Sequence, residues 1–363
     1  MKIGLEATRA NKQRKTGTEW YAWHLLEQFK KIDQDNKFII YYNHDLAEPL
    51  GSGPANFSFQ RLSWPLKKFW THLRLSLELI FKPVDKFFAS NALPLLTRGE
   101  AIVTIHDLGF FKQPKLYHPL ERVYQKISHR LVIARADKII AVSKSTADDI
   151  AEYFPQAKNK IKVIYNGWDK DKCQPVDLAT KNKMRDKYNL PDKFIFYIGR
   201  IETKKNIQNL IKAFALLKNK DYHLVLAGRP GNYGYQEIIS LAEKNKDRIH
   251  FLGHVPDEDY QRLIATADIF AFPSKFEGFG IPILEAMGCG VPVIASDIPV
   301  LKEVGDQAAI YFNPDSDLDL AEKLDSLISD SALQQNLRGR GLMQAAKFSW
   351  EKCARETLAY ILE

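Results

Sequence analysis

Cysteine is scarce in this 363-residue chain: Cys173, Cys289 and Cys353 are odd in number and form no CxxC or Cys/His cluster. That excludes a disulfide framework or zinc module and fits a reducing compartment. Long apolar runs are missing too, none approaching the roughly 18 residues that a membrane span needs. There is no short-period repeat and no low-complexity tract. Met1-Lys2-Ile3-Gly4-Leu5-Glu6 enters strand-like sequence directly, so no signal peptide is expected. A dinucleotide fingerprint is also lacking. No GxGxxG follows the first strand, and the glycine-rich stretch Gly228-Arg229-Pro230-Gly231 has a proline where free amides are needed.

What is present is ordinary for a soluble protein: 45% hydrophobic and 26% charged residues. The length suits two domains, each with its own core. A net charge of +8 favours phosphate-rich ligands or an anionic surface, but lysine is spread widely, so charge alone names no partner.

Strand-like and helix-like segments alternate nearly throughout, which predicts an α/β class with parallel sheets covered on both faces. In the first half, strands are expected near residues 3–7, 38–42, 84–89, 101–105, 138–142 and 162–165. Helices are expected near 18–31, 67–81, 120–136 and 145–153. The charged, turn-rich stretch from Asp169 to Asp192 carries Pro175 and Pro191, and a fresh strand series starts at Phe194. Its strands are expected near 194–198, 223–227, 249–252, 269–272 and 291–295. The chain thus reads as a Rossmann-like domain over 1–169, a second over 170–346 and a terminal helix over 347–363, with Ser349 as its N-cap. Such halves bind ligands at the carboxyl ends of their strands.

The chemistry concentrates at those ends. Glu277-Gly278-Phe279-Gly280-Ile281-Pro282-Ile283-Leu284-Glu285 sets two carboxylates eight residues apart, between two predicted strands. Pro282 suits the first helical position, and Gly280 lets backbone amides approach a ligand at a helix N-terminus. A carboxylate on each side suits a ligand with hydroxyls and phosphate, such as a nucleotide sugar. Gly199-Arg200-Ile201-Glu202-Thr203-Lys204-Lys205-Asn206 follows a strand and opens a helix, so Arg200 and Lys205 can meet one diphosphate; a solvated basic helix start has the same spacing. His106-Asp107 ends an apolar strand, where His106 either faces a ligand or is satisfied at the sheet edge. Gly17, between the first strand and first helix, allows close backbone approach or merely a tight turn. Asp315-Ser316-Asp317-Leu318-Asp319 has the look of an acidic metal triplet, but its place after Asn313-Pro314 reads better as helix capping.

In this order, these residues carry a resemblance that covers nearly the whole length. The chain resembles the retaining GT-B glycosyltransferases of family 4, the glycosyl transferases group 1 family. Glu277 to Glu285 matches the family's EX7E motif, and Gly199-Arg200 with Lys205-Asn206 matches its diphosphate loop. His106-Asp107-Leu108, Ala141 to Ser145, Asn166-Gly167 and Phe348-Ser349-Trp350-Glu351 fall in the expected order.

The resemblance implies a GT-B fold, with the terminal helix crossing back to the first domain. It implies that Glu277 holds the donor sugar, that backbone around Phe279, Gly280 and Ile281 supports its hydroxyls or phosphate, and that Glu285 takes the ribose. Arg200 and Lys205 then neutralise the leaving diphosphate without a metal, Gly17 approaches it from the first domain, and His106 sits beside sugar and acceptor. Base readout is expected near Arg229 and Val255. One departure stands out: relatives often have Gly-x-Gly-Arg-Tyr where this chain has Gly17-Thr18-Glu19-Trp20-Tyr21, so Glu19 brings a negative charge to the phosphate loop.

The expected activity is transfer of a hexose from a nucleotide sugar to a glycan or glycolipid in cell-surface polysaccharide synthesis. Likeness to bacterial mannosyltransferases makes GDP-mannose the first donor to try, with no cofactor beyond it. The expected setting is the cytoplasm, with peripheral contact at the inner membrane face. Epimerisation or phosphorolysis on the same fold is the alternative enzyme; a non-catalytic protein binding nucleic acid or membrane is the alternative class. For the latter, the helix containing Leu66 to Leu75 mixes aromatic, leucine and basic residues, although packing its leucine face on the sheet explains it better.

Overall fold

The computed structural model describes residues 1–13, 15–46, 50–66, 69–231 and 233–363, and divides into two compact units. The first comprises Met1–Lys112, Pro119–Gly167 and Trp350–Glu363; the second comprises Gln113–His118 and Trp168–Ser349.

The first unit is built on seven strands: β1 (Lys2–Glu6), β2 (Lys37–Tyr42), β3 (Phe57–Arg61), β4 (Lys86–Ala89), β5 (Glu100–Ile105), β6 (Lys138–Ala141) and β7 (Ile161–Val163). They pair in parallel in the order β3-β2-β1-β4-β5-β6-β7. Runs such as Ala101-Ile102-Val103-Thr104-Ile105 are buried on both faces, as a doubly covered parallel sheet demands. The terminal helix Trp350–Leu362 packs on helix Gly17–Ile32, where the Trp350 indole stacks on His24 with ring centres 4.7 Å apart.

Two expectations need correction here. The helix expected over 67–81 is a π-helical turn at Trp70–Arg74 leading into an α-helix at Leu75–Phe81; Lys67 and Lys68 lie outside the described residues. Its leucine face is not simply turned inward: Trp70, Leu75 and Leu79 are buried, while Phe69, Leu73, Leu77 and Phe81 face solvent.

The second unit has six parallel strands: β8 (Phe194–Ile198), β9 (His223–Ala227), β10 (Ile249–Gly253), β11 (Ile269–Phe272), β12 (Val293–Ser296) and β13 (Ala309–Phe312). Their order is β10-β9-β8-β11-β12-β13. The sheet order therefore reverses direction at β8, with β9 on one side and β11 on the other. That switch point is where α/β sheets open a crevice at their carboxyl ends.

Candidate active site

The β8/β11 switch point brings together two of the loops singled out from the sequence, those holding Arg200–Lys205 and Glu277–Gly280; the Gly17 and His106 loops belong to the first unit. After β8, the chain turns through Gly199 and Arg200, makes one 3₁₀ turn at Thr203–Lys205 and enters helix Ile207–Leu216. After β11, it runs through Pro273 and Glu277 to Gly280, which caps helix Ile281–Gly288. The helix starts at Ile281, so Pro282 occupies its second position rather than its first; its missing N–H is still unneeded there. The loops are tied together by a hydrogen bond from Lys275 N–H to the Lys204 carbonyl at 3.1 Å.

The Lys205 ammonium meets the Glu277 carboxylate at 2.5 Å, with both side chains largely shielded from water. Lys205 also lies over the Phe272 ring, 5.7 Å from its centre. Lys205 and Glu277, read from the sequence as contacting different parts of one ligand, are thus each other's partners. Arg200 is exposed; its carbonyl accepts a hydrogen bond from the buried Tyr197 hydroxyl at 2.9 Å, which fixes the turn while leaving the guanidinium on the surface.

Glu285, one helical turn inside the Ile281–Gly288 helix, accepts a hydrogen bond from the Tyr260 hydroxyl at 2.9 Å. Burial pushes its carboxyl up to about 7, aided by the nearby Asp169 carboxylate, while the Tyr260 bond and Lys172 pull the other way. Gly280 has φ +100°, and a Cβ there would stand 2.7 Å from the Leu301 side chain. Phe279 is buried and meets Phe348 edge-on at 5.8 Å. The next strand ends crowd together: Gly228 N–H donates to the Gly253 carbonyl at 2.6 Å, and a Cβ on Gly228 would fall 1.7 Å from the Gly199 carbonyl oxygen. Arg229 is exposed beyond that contact, whereas Val255 is buried. The chain carries a further neighbour that motif reading missed. Tyr117, from Gln113–His118, lies under the Lys204 ammonium at 5.1 Å, and Phe276 at 5.7 Å.

Asp315 to Asp319 cap a helix. Ser316 accepts from the Asp319 N–H at 3.1 Å, Asp319 accepts from the Asn313 N–H at 2.7 Å, and Lys323 neutralises Asp319.

In the first unit, Gly17 opens its helix, and a Cβ there would meet nothing. Glu19 does not add free charge to this loop. Its buried carboxylate accepts from the Thr16 backbone N–H at 3.1 Å, forming a capping box, and pairs with Lys12 at 2.7 Å and Arg9 at 3.2 Å. Although burial opposes it, these bonds hold the Glu19 carboxyl down at about 2. His106 follows β5 with its Nε2 2.9 Å from the Ser90 carbonyl oxygen, and meets Tyr21 edge-on at 4.8 Å. Burial lowers its pKa to about 4, so the ring is neutral near pH 7. A carbonyl can only accept, so Nε2 carries the proton and Nδ1 keeps a lone pair. Asp107 caps the next turn, accepting from the Gly109 N–H at 2.8 Å.

A cation–carboxylate pair, a positive-φ helix cap and a half-buried carboxyl gather at one switch point. Comparison with known proteins gives the family. Residues 180–342 match the family model for glycosyl transferases group 1, and residues 16–172 match that for glycosyltransferase family 4. O-antigen chain mannosyltransferase B of Escherichia coli is 37% identical over 92% of this chain and 87% of its own length. The chain belongs to the group 1 glycosyltransferases. The fold has relatives among solved structures. Sucrose-phosphate synthase from Thermosynechococcus elongatus superposes with a TM-score of 0.79 at 19% identity, covering 99% of this chain and 97% of its own. HepE from Anabaena, in complex with UDP and glucose, gives 0.76 at 19% identity, covering 99% and 98%. This group 1 glycosyltransferase therefore has the GT-B fold its motifs imply.

Proposed function

We propose that the chain is a retaining mannosyltransferase that moves mannose from GDP-mannose to a glycan or lipid-linked acceptor during synthesis of a cell-surface polysaccharide. The observation that carries this reading is the Lys205–Glu277 pair held between the ends of β8 and β11. In this reading the pair is a preorganised receptor: Glu277 aims the ammonium before any ligand arrives. Glu277 then hydrogen-bonds the donor sugar as Lys205 and Arg200 take up the charge that develops on the departing diphosphate. Groups placed where charge grows act mostly in the transition state. Backbone at Phe279, Gly280 and Ile281 supports the sugar and phosphate, and Glu285 accepts from the ribose hydroxyls. Loop backbone near Arg229 and Val255 reads the base.

The acceptor attacks the face that the diphosphate leaves, with a phosphate oxygen taking the acceptor's proton, so configuration is retained. The mannose assignment is supported by the name of the Escherichia coli relative, a mannosyltransferase of O-antigen chains. The nucleotide-sugar class is supported by HepE, solved with UDP and glucose. A panel of nucleotide sugars tests the donor, because a ligand bound by the folded state alone raises the melting temperature. GDP-mannose is expected to give the largest rise, and mannose transfer is expected only when acceptor is added. A larger rise with a uridine nucleotide sugar would overturn the donor, and epimerised donor without acceptor would overturn the reaction.

A further inference from the structure

Helix Gly17–Ile32 turns Tyr21, Leu25, Leu26 and Phe29 into the core of the first unit, where all four are buried. Trp20, Trp23, His24 and Glu27 point the other way, and each is half-buried. Their spacing of i, i+3, i+4 and i+7 puts them on one helical face. The outward face of such a helix is ordinarily polar. Here it begins with two indoles.

The rings hold one another in place. Trp20 and Trp23 meet edge to face, with centres 5.6 Å apart and planes at 89°. His24 closes the group, 5.7 Å from Trp20 and 4.9 Å from Trp23. The imidazole is fixed in turn, because it stacks on the buried Trp350 ring of the terminal helix at 4.7 Å with planes 9° apart. The Lys15 ammonium lies 5.3 Å from the Trp20 ring centre. The result is a rigid aromatic step, set before any ligand arrives.

Its position is that of a ligand site. Trp20 lies in the first turn of the helix that follows β1. In the first sheet β2 flanks β1 on one side and β4 on the other, so the strand order reverses there, as it does at β8 in the second sheet. Such reversals are where α/β sheets take ligands, beyond the carboxyl ends of the strands.

The chemistry of the step says which ligand. Two indole rings at right angles offer apolar faces, and indole N–H, imidazole and ammonium groups stand at their edges. A pyranose is built to match, with C–H bonds gathered on its ring faces and hydroxyls around its rim. A bilayer or a protein partner calls for a longer apolar stripe. This one ends within a turn of Trp23 at Glu27, which is ion-paired with Lys30.

We propose that Trp20 and Trp23 form a stacking step for the saccharide of the acceptor, with a sugar ring lying on an indole and Lys15 donating to its hydroxyls. The inference rests on the reading of the chain as a transferase with a glycan acceptor. It adds residues that hold that acceptor, apart from the donor loops of the second unit.

Two measurements test it. One is calorimetric titration of the full chain with α-linked mannose oligosaccharides and no donor. The other is steady-state transfer from GDP-mannose to the same oligosaccharides. The wild type is expected to bind them without donor. Trp20→Ala and Trp23→Ala are each expected to raise the acceptor KM and Kd about tenfold, with kcat at saturating acceptor within about twofold of the wild type. Trp23→Tyr keeps a ring and should recover most of the loss, which a purely structural role would not require. The KM for GDP-mannose should not move. Absence of saccharide binding by the wild type would overturn the proposal, as would Ala variants that fold and keep the wild-type acceptor KM and Kd. So would a lower kcat at unchanged KM, or self-association of the wild type that Trp23→Ala abolishes, since the step would then belong to a second copy. If GDP-mannose neither raises the melting temperature nor supports turnover, the donor reading fails, and calorimetry without donor still decides the step.

Discussion

At the scale of single residues, the site's chemistry rests on what each carboxyl is bound to. Glu277 and Glu285 share a motif but not an environment: one is paired with an ammonium, the other is half-buried and bonded to a phenol. For Glu285 the folded pKa of about 7 lies above the ordinary 4.5. The native state therefore holds a proton that the unfolded chain releases, and stability falls as pH rises from about 4.5 to 7. Glu285→Gln is expected to melt above the wild type at pH 8, with the difference vanishing below about pH 4.5; thermal melts across that range check it. If Glu285 takes ribose hydroxyls as the carboxylate, wild-type nucleotide affinity should also fall as pH drops through 7, and the Gln variant should bind weakly at every pH. Glu19 has the opposite sign. Its folded pKa of about 2 gives stability that is present above the ordinary carboxylate value and is lost as pH falls toward 2. Glu19→Ala removes the capping box and leaves Arg9 and Lys12 unpaired, so it is expected to cost about 1–3 kcal/mol in denaturant unfolding at pH 7.

At the scale of elements, two loops are built on backbone that only glycine fits well. Gly228 has φ +135° and abuts the Gly199 carbonyl, which is rigid main chain. Gly228→Ala should destabilise the second unit by about 3 kcal/mol or more, seen as a lower unfolding midpoint. Gly280→Ala meets a yielding Leu301 side chain, so the expected cost is about 1–3 kcal/mol, coming mainly from φ +100°, with weakened nucleotide binding. The interior strands were legible in the sequence because their apolar runs are unbroken, as in Phe194 to Ile198. Two edge strands were not. Phe57–Arg61 alternates with polar residues, and Ala309–Phe312 is four residues long, too short for its apolar character to separate strand from helix. The helical turn at Trp70–Arg74 was misread because apolar residues occur on both of its faces, which blurs the period.

At the scale of the whole molecule, the order of motifs was enough to name the family, and the loops after β8 and β11 meet as their sequence implied. Partnerships were less legible. That Lys205 and Glu277 neutralise one another and that residues 113–118 belong with the second unit depend on contacts between distant segments. No local pattern encodes them. The central claim is that Lys205 and Glu277 form the receptor for the activated sugar. It is tested most directly by steady-state turnover of GDP-mannose with acceptor in the wild type, Lys205→Ala and Glu277→Ala. Each substitution is expected to lower kcat by about 10²-fold, with folding intact by thermal melt. Turnover near the wild-type value in either folded variant would contradict the account.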